Sequence, residues 1–199
     1  MIKESPPPLS RERLFVYYYC ERRIHFMPKF RRHIARVKGL GFIFWHARHE
    51  LYHALLGVAW AWILREVWGE FQIKWLLLSV GASLLPDVEH LLYWIRWGKK
   101  DPYVRQIKAF LKSHQWRLLM VHIEHGHKEV TELSYHNVYI VLFLFILTFV
   151  FYLFDWNAWV VIGGAMGIHY IFDIFDDFAT LGYLNSNWKR WGNGKKRKN

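Results

Sequence analysis

Apolar residues along this chain gather into runs separated by short polar turns or by long charged stretches. The first run is preceded by the polar cluster His46 to His53 and predicts a membrane span near residues 51–68, with helix starting as early as residue 43. Gly69-Glu70-Phe71-Gln72 is a short turn, and a second span follows over 73–94. Pro86 interrupts it, because proline has no N–H to donate and its ring clashes with the preceding turn. Residues 98–136 form a polar loop with a short helix expected near 102–120. The cleanest run, 137–154, carries no Asp, Glu, Lys or Arg over 18 residues, close to the roughly 20 that cross a hydrocarbon core. Asp155-Trp156-Asn157 turns the chain, and a fourth span returns over 158–175. The fold class read from this pattern is all-α: a polytopic membrane four-helix bundle with a Pro-broken second span. Gly57 with Ala61, and Gly163 with Gly167, put small residues four apart, the spacing that lets membrane helices approach closely.

Charge divides the chain further. The net charge is +11 although 53% of residues are hydrophobic and 19% aromatic, and the Lys and Arg crowd into residues 1–39, 99–132 and 189–198. Residues 1–39 read as a basic arm, partly disordered around Pro6-Pro7-Pro8 and amphipathic over 22–38. Residues 40–183 read as the membrane-embedded helical domain and 184–199 as a basic tail. The two short turns lack Lys and Arg, so the positive-inside rule places arm, loop 98–136 and tail together on the cytoplasmic side. The expectation is an integral protein of the cytoplasmic (inner) membrane with both termini in the cytoplasm. Trp94-Ile95-Arg96-Trp97-Gly98-Lys99-Lys100 interleaves aromatic and basic residues as single-strand binders do. A Trp belt flanked by cations at the headgroup level explains it more simply, so membrane lipid, not nucleic acid, is the expected partner. Cys20 is the sole cysteine, which excludes an intrachain disulfide and a CxxC motif. No GxSxG, Walker or dinucleotide fingerprint is present.

The chemistry-bearing residues gather at one depth. His53 opens span one, Asp87, Glu89 and His90 lie near the end of span two, His136 opens span three, and His169 and Asp173 lie near the end of span four. Ionisable groups in a membrane are costly and by default mark a site with partners. Imidazoles and carboxylates together suit a divalent metal, zinc first, with manganese or iron as alternatives. His53, Asp87, His90, His136, His169 and Asp173 are therefore the predicted metal residues. Asp87 and Glu89 are the catalytic candidates, Glu89 either as base or as orienter. His122, His125 and His127 belong to the polar loop, and their roles stay open. A rival motif, His49-Glu50-Leu51-Tyr52-His53, has the HExxH form in which two histidines bind zinc and the glutamate is the base.

These segments resemble the YdjM-like inner-membrane metal-dependent hydrolase family, also labelled LexA-binding. His53-Ala54-Leu55-Leu56-Gly57 matches its His-xxx-Gly, and Leu85-Pro86-Asp87-Val88-Glu89-His90 matches its Leu-Pro-Asp-x-Asp-His with Glu89 for the second aspartate. His169 and Asp173, with Gly164, Gly167 and Thr180-Leu181-Gly182 nearby, match its last segment. His127-Lys128 and Tyr135-His136-Asn137 stand at the two ends of its third, although the spacing is longer and the Thr-His-Ser is absent. The resemblance spans residues 50–182. A more distant likeness is to the zinc-dependent phospholipase C and nuclease group, which implies several metals acting on a phosphodiester. What the resemblance implies is a membrane-bound metal-dependent hydrolase acting on a phosphoester of a lipid-like or anionic amphiphile at the cytoplasmic face. The alternatives are an HExxH zinc metalloprotease and a non-enzymatic membrane scaffold or metal-binding module.

Overall fold

The computed structural model describes residue 44 and residues 47–130 and 133–189, the side chains of 124, 125 and 127–130 excepted. The chain clusters into two units, residues 1–45 and 46–199. The predicted amphipathic segment within 1–39, the end of the basic tail and the side chains of His125 and His127 lie outside the described residues. Every regular element among those described is helical.

Helix α1, Arg48–Trp68, stops at Gly69, whose φ of 71° places it in the left-handed region and whose N–H reaches back to Arg65 O at 2.8 Å. Helix α2 runs Ile73–Leu84. At Pro86 the chain does not break off but tightens: Leu85–Asp87 is a 3-10 turn, and α3, Val88–Leu92, resumes the α-helix. A π-helical turn at Tyr93–Trp97 and a 3-10 turn at Gly98–Lys100 end this stretch.

The expected single helix near 102–120 is two. Helix α4, Pro102–Lys112, has Pro at its start and Asp101 as N-cap, accepting from Tyr103 N at 2.8 Å. Helix α5 is Trp116–Val130. Between them Ser113 Oγ donates to Ala109 O and His114 takes a φ of 55°, so the break has neither Gly nor Pro to announce it. Helix α6, Val138–Leu153, is capped by Asn137, whose side chain accepts from Ile140 N at 3.0 Å. Helix α7, Asn157–Leu181, is 25 residues long and runs past the predicted end at 175 until Gly182. A final 3-10 turn, Ser186–Lys189, carries Trp188 inward.

Helix α7 is the centre, packed against α1, α2 and α6, and α1 also packs on α2. The predicted close approach at Gly57 is realised on α2: a Cβ there would lie 2.6 Å from Ser83 Oγ and 2.8 Å from Val80 Cα, and Ser79 Oγ donates to Gly57 O at 2.7 Å. Gly163 and Gly167 likewise face Thr148 and Phe145 of α6.

Two helical stretches, Ile73–Lys100 and Asn157–Leu181, are long and apolar enough to cross a membrane. Of the other two predicted spans, α6 is apolar but only 16 residues long, and α1 is long enough but less apolar. Polarity is distributed inside out. Leu51, Leu55, Trp62 and Ile63 on α1 and Leu142, Phe143, Ile146, Phe149 and Leu153 on α6 are exposed, while Ser79, Ser83, His53, His169 and Asp173 are buried.

Candidate metal centre

The site is assembled at one end of the bundle, beginning with the tightened turn at Pro86. In an i→i+3 segment the carbonyl of Ser83 should receive the N–H of residue 86, and proline has none. That carbonyl accepts instead from His169 Nδ1 of α7 at 2.6 Å. Since a carbonyl only accepts, Nδ1 carries a proton, and Nε2 is the nitrogen turned inward. His169 Nε2 lies 3.0 Å from Asp173 Oδ2, one helical turn along α7, and 3.8 Å from Asp87 Oδ1. The ring of His169 stacks on that of His53 from α1 at 3.7 Å between centroids, and both residues are fully buried.

His136 is oriented in the same way by a different group. Glu89, on α3 and 4% exposed, accepts from His136 Nδ1 at 2.8 Å, from Tyr135 N at 2.9 Å and from Ser134 N. These bonds pin the segment before α6 onto α3 and leave His136 Nε2 3.5 Å from Asp173 Oδ2. Both oxygens of Glu89 accept hydrogen bonds. These contacts hold the His136 ring and the backbone before α6 in place. His90, one residue further on α3, brings its ring within 5.1 Å of that of His136. Burial opposes charge on His136, but the nearby carboxylates of Asp173 and Glu89 outweigh it and raise its pKa to about 9.

Asp173 is thus ringed by imidazoles. Its Oδ2 faces His136 and His169, and its Oδ1 lies 3.3 Å from His53 Nε2 and 3.6 Å from His49 Nε2. Three overlapping groups have donor atoms within 4.8 Å of one another: His49, His53 and Asp87; His53, His169 and Asp173; Asp87, His90 and His136. All six predicted metal residues fall in these groups. The seventh member, His49, entered the sequence reading only through the rival HExxH motif. The remaining partner of that motif, Glu50, is exposed and belongs to none of the groups.

The donor set fits a divalent cation. His136 Nε2, His169 Nε2 and Asp87 Oδ2 are buried and make no hydrogen bond within the protein, a costly state for polar atoms that a cation would relieve. These are nitrogen and carboxylate oxygen donors, the mixture that zinc, manganese and iron accept.

No protein-family profile, curated protein or solved structure matches this chain. The site is therefore read from its own geometry. His122 is not part of it: the ring packs on Tyr103 at 4.8 Å, Nε2 lies 3.2 Å from Tyr103 O, and burial lowers its pKa. Three further residues lay beyond the sequence reading. Asp177 accepts from Trp188 Nε1 at 2.8 Å, and the Trp188 ring comes to 6.0 Å from that of His136, closing the site from the C-terminal side. Asp176 lies 3.9 Å from His49 Nδ1. The available signal was the face of α7, since 173, 176 and 177 follow His169 at helical spacing.

Proposed function

We propose that this protein is a membrane-embedded, metal-dependent hydrolase acting on a phosphoester of a lipid-like or otherwise anionic amphiphile at the cytoplasmic face. One observation carries the reading: four imidazoles, two from α1, one from the segment before α6 and one from α7 itself, converge on the buried carboxylate of Asp173. A divalent ion held there would polarise a phosphoryl oxygen and make water acidic enough to attack near neutral pH.

The chain's own residues supply the rest. His53, His169 and Asp173, with Asp87, His90 and His136, would hold the ion. Glu89 and the carbonyl of Ser83 fix the two rings whose Nδ1 they engage, so that Nε2 stays turned inward. Asp87 and His90 are half-buried rather than sealed, and so are the members of the set best placed to meet an incoming substrate. Arg96, Lys99 and Lys100 follow on the same helical stretch and are exposed, where they would attract a phosphate.

Membrane embedding is part of the proposal. Helix α7 is long and apolar enough to cross, and α1, α2 and α6 pack along it, so all four would share its depth as spans. Their outward Leu, Phe and Ile side chains suit acyl chains, not water. Both termini and loop 98–136 would lie in the cytoplasm by their Lys and Arg. The motif resemblance to the YdjM-like hydrolases points the same way.

The test uses detergent-purified protein, stripped of metal and reloaded with zinc or manganese, against phospholipids, soluble phosphodiesters and a peptide. Metal-dependent phosphoester cleavage that Asp87→Ala and Asp173→Ala both abolish is expected. Turnover that survives both changes, or cleavage of the peptide alone, overturns the reading.

A further inference from the structure

The four imidazoles around Asp173 are not equivalent: two face one carboxylate oxygen and two face the other. On the Oδ1 side, His49 Nε2, His53 Nε2 and Oδ1 are separated by 2.9, 3.3 and 3.6 Å. On the Oδ2 side lie His169 Nε2 at 3.0 Å and His136 Nε2 at 3.5 Å, with Asp87 Oδ1 3.8 Å from His169 Nε2. Donors sharing one ion at about 2.0–2.2 Å in a tetrahedral arrangement lie roughly 3.3–3.6 Å apart. The 3.3 and 3.6 Å separations on the Oδ1 side and the 3.5 Å one on the Oδ2 side match that spacing, so each side offers a donor set of its own.

We propose that His49 is a metal ligand, completing with His53 and Asp173 Oδ1 a second divalent-cation site, and that Asp173 bridges it to the site formed by His136, His169 and Asp87. This rests on the metal-centre reading above and extends it to a residue outside both the predicted set and the family motif. His49 is one helical turn before His53 on the same face of α1, so any ion against His53 on the Oδ1 side is within reach of both. Its other nitrogen, Nδ1, lies 3.9 Å from Asp176 Oδ2, on the side where a carboxylate orients a metal-bound imidazole. Asp176 is itself steadied by Thr180 Oγ1, which donates to its Oδ1 at 3.2 Å. His49 is 29% exposed, whereas His53 and His169 are sealed, so the second site has a ligand open to solution. The HExxH spacing thus has a use that does not need Glu50: its two histidines share an ion while the glutamate faces away.

The experiment is a manganese titration of full-length, chelator-stripped protein in detergent, read by equivalents bound and by electron paramagnetic resonance. Wild type should bind two equivalents and give the signal of an exchange-coupled pair. His49→Ala should bind one and give an uncoupled signal, His49→Asp should recover the second, and Glu50→Ala should behave as wild type. A circular dichroism melt confirms that each variant is folded. If wild type binds one ion, or if His49→Ala keeps two coupled ions, this inference fails while the metal centre stands. If wild type binds none, the proposed function fails with it.

Discussion

The two ends of the bundle are built from the same helices by opposite means. At the end of the short turns, Leu64, Val160 and Val161 form a buried cluster wrapped by Trp60, Trp68, Trp75, Leu78 and Phe151. None of these cluster side chains is ionisable. At the other end the same helices bury histidines and aspartate whose positions are set by directional contacts. Apolar packing tolerates adjustment at modest cost, whereas a donor set works only if its atoms stay within a few tenths of an ångström. The aromatic end clamps the helices, so that the polar end can keep costly groups in place. A substitution at the polar end should therefore change metal binding before stability, and one at the packed contacts should do the reverse.

The largest effect is expected from Asp173→Asn, which keeps size and removes the charge that faces four imidazoles. Metal affinity, measured by competition with a chromophoric chelator, should fall by more than the roughly 10–100-fold typical of losing an outer partner. Next is Glu89→Gln, which loses charge behind His136 but can still accept a bond. A loss of about 10–100-fold in affinity is expected, with the helical content unchanged by circular dichroism. Equal affinity in Asp173→Asn and wild type would show that the polar end holds no ion.

Protonation sharpens the same contrast. The pKa of His136 is raised above its ordinary 6.5 to about 9 in the metal-free protein. The stability that its pairing adds is fully present below about pH 6.5 and lost as pH climbs through 9. An ion needs the neutral imidazole, so affinity should rise over the interval in which metal-free stability falls. Thermal melts of stripped protein alongside metal titrations between pH 6 and pH 9 should give curves of opposite slope. Parallel slopes would mean that His136 does not bind the ion.

Much of this was legible because polar residues stand out in apolar runs. The interruption at Pro86 and the six clustered residues follow from that contrast, although the chain there tightens instead of breaking. What stayed hidden had no such contrast. His114 breaks the loop helix through an ordinary residue in a left-handed conformation. Asp176 and Asp177 looked like the end of a span, yet α7 continues through them, with Asp176 3.9 Å from His49 Nδ1 and Asp177 bonded to Trp188. The free Ser83 carbonyl was half legible: Pro86 three residues on marks it, but nothing in the sequence names the histidine that reaches it. Spacing put His49 and Glu50 in one motif but could not say that only the histidine turns inward.

A smaller effect tests the packed contacts. Gly57→Ala would put a methyl within 2.9 Å of Ser79 O and 2.8 Å of Val80 Cα, and backbone cannot swing aside. The helices must separate, at about 1–3 kcal/mol by analogy with overpacked cores. Because Ser79 and Ser83 lie on that contact, a separation reaching Ser83 would also loosen the hold on His169. A lowered melting temperature with metal affinity nearly unchanged would show that the strain is absorbed before it reaches the site.

The smallest effect belongs to Glu50→Ala, and its smallness is informative. In an HExxH protease the glutamate is the base and its removal is ruinous. Here Glu50 is exposed in the first turn of α1, while His49 and His53 on either side of it face Asp173. Removing it costs at most the few tenths of a kcal/mol that a carboxylate near a helix N-terminus contributes. Metal binding and phosphoester turnover should both stay within about twofold of wild type. A loss of two orders of magnitude would instead make the first turn of α1 rotate to bring Glu50 inward on binding substrate, and would move the chemistry from the Asp173 ring to the HExxH helix.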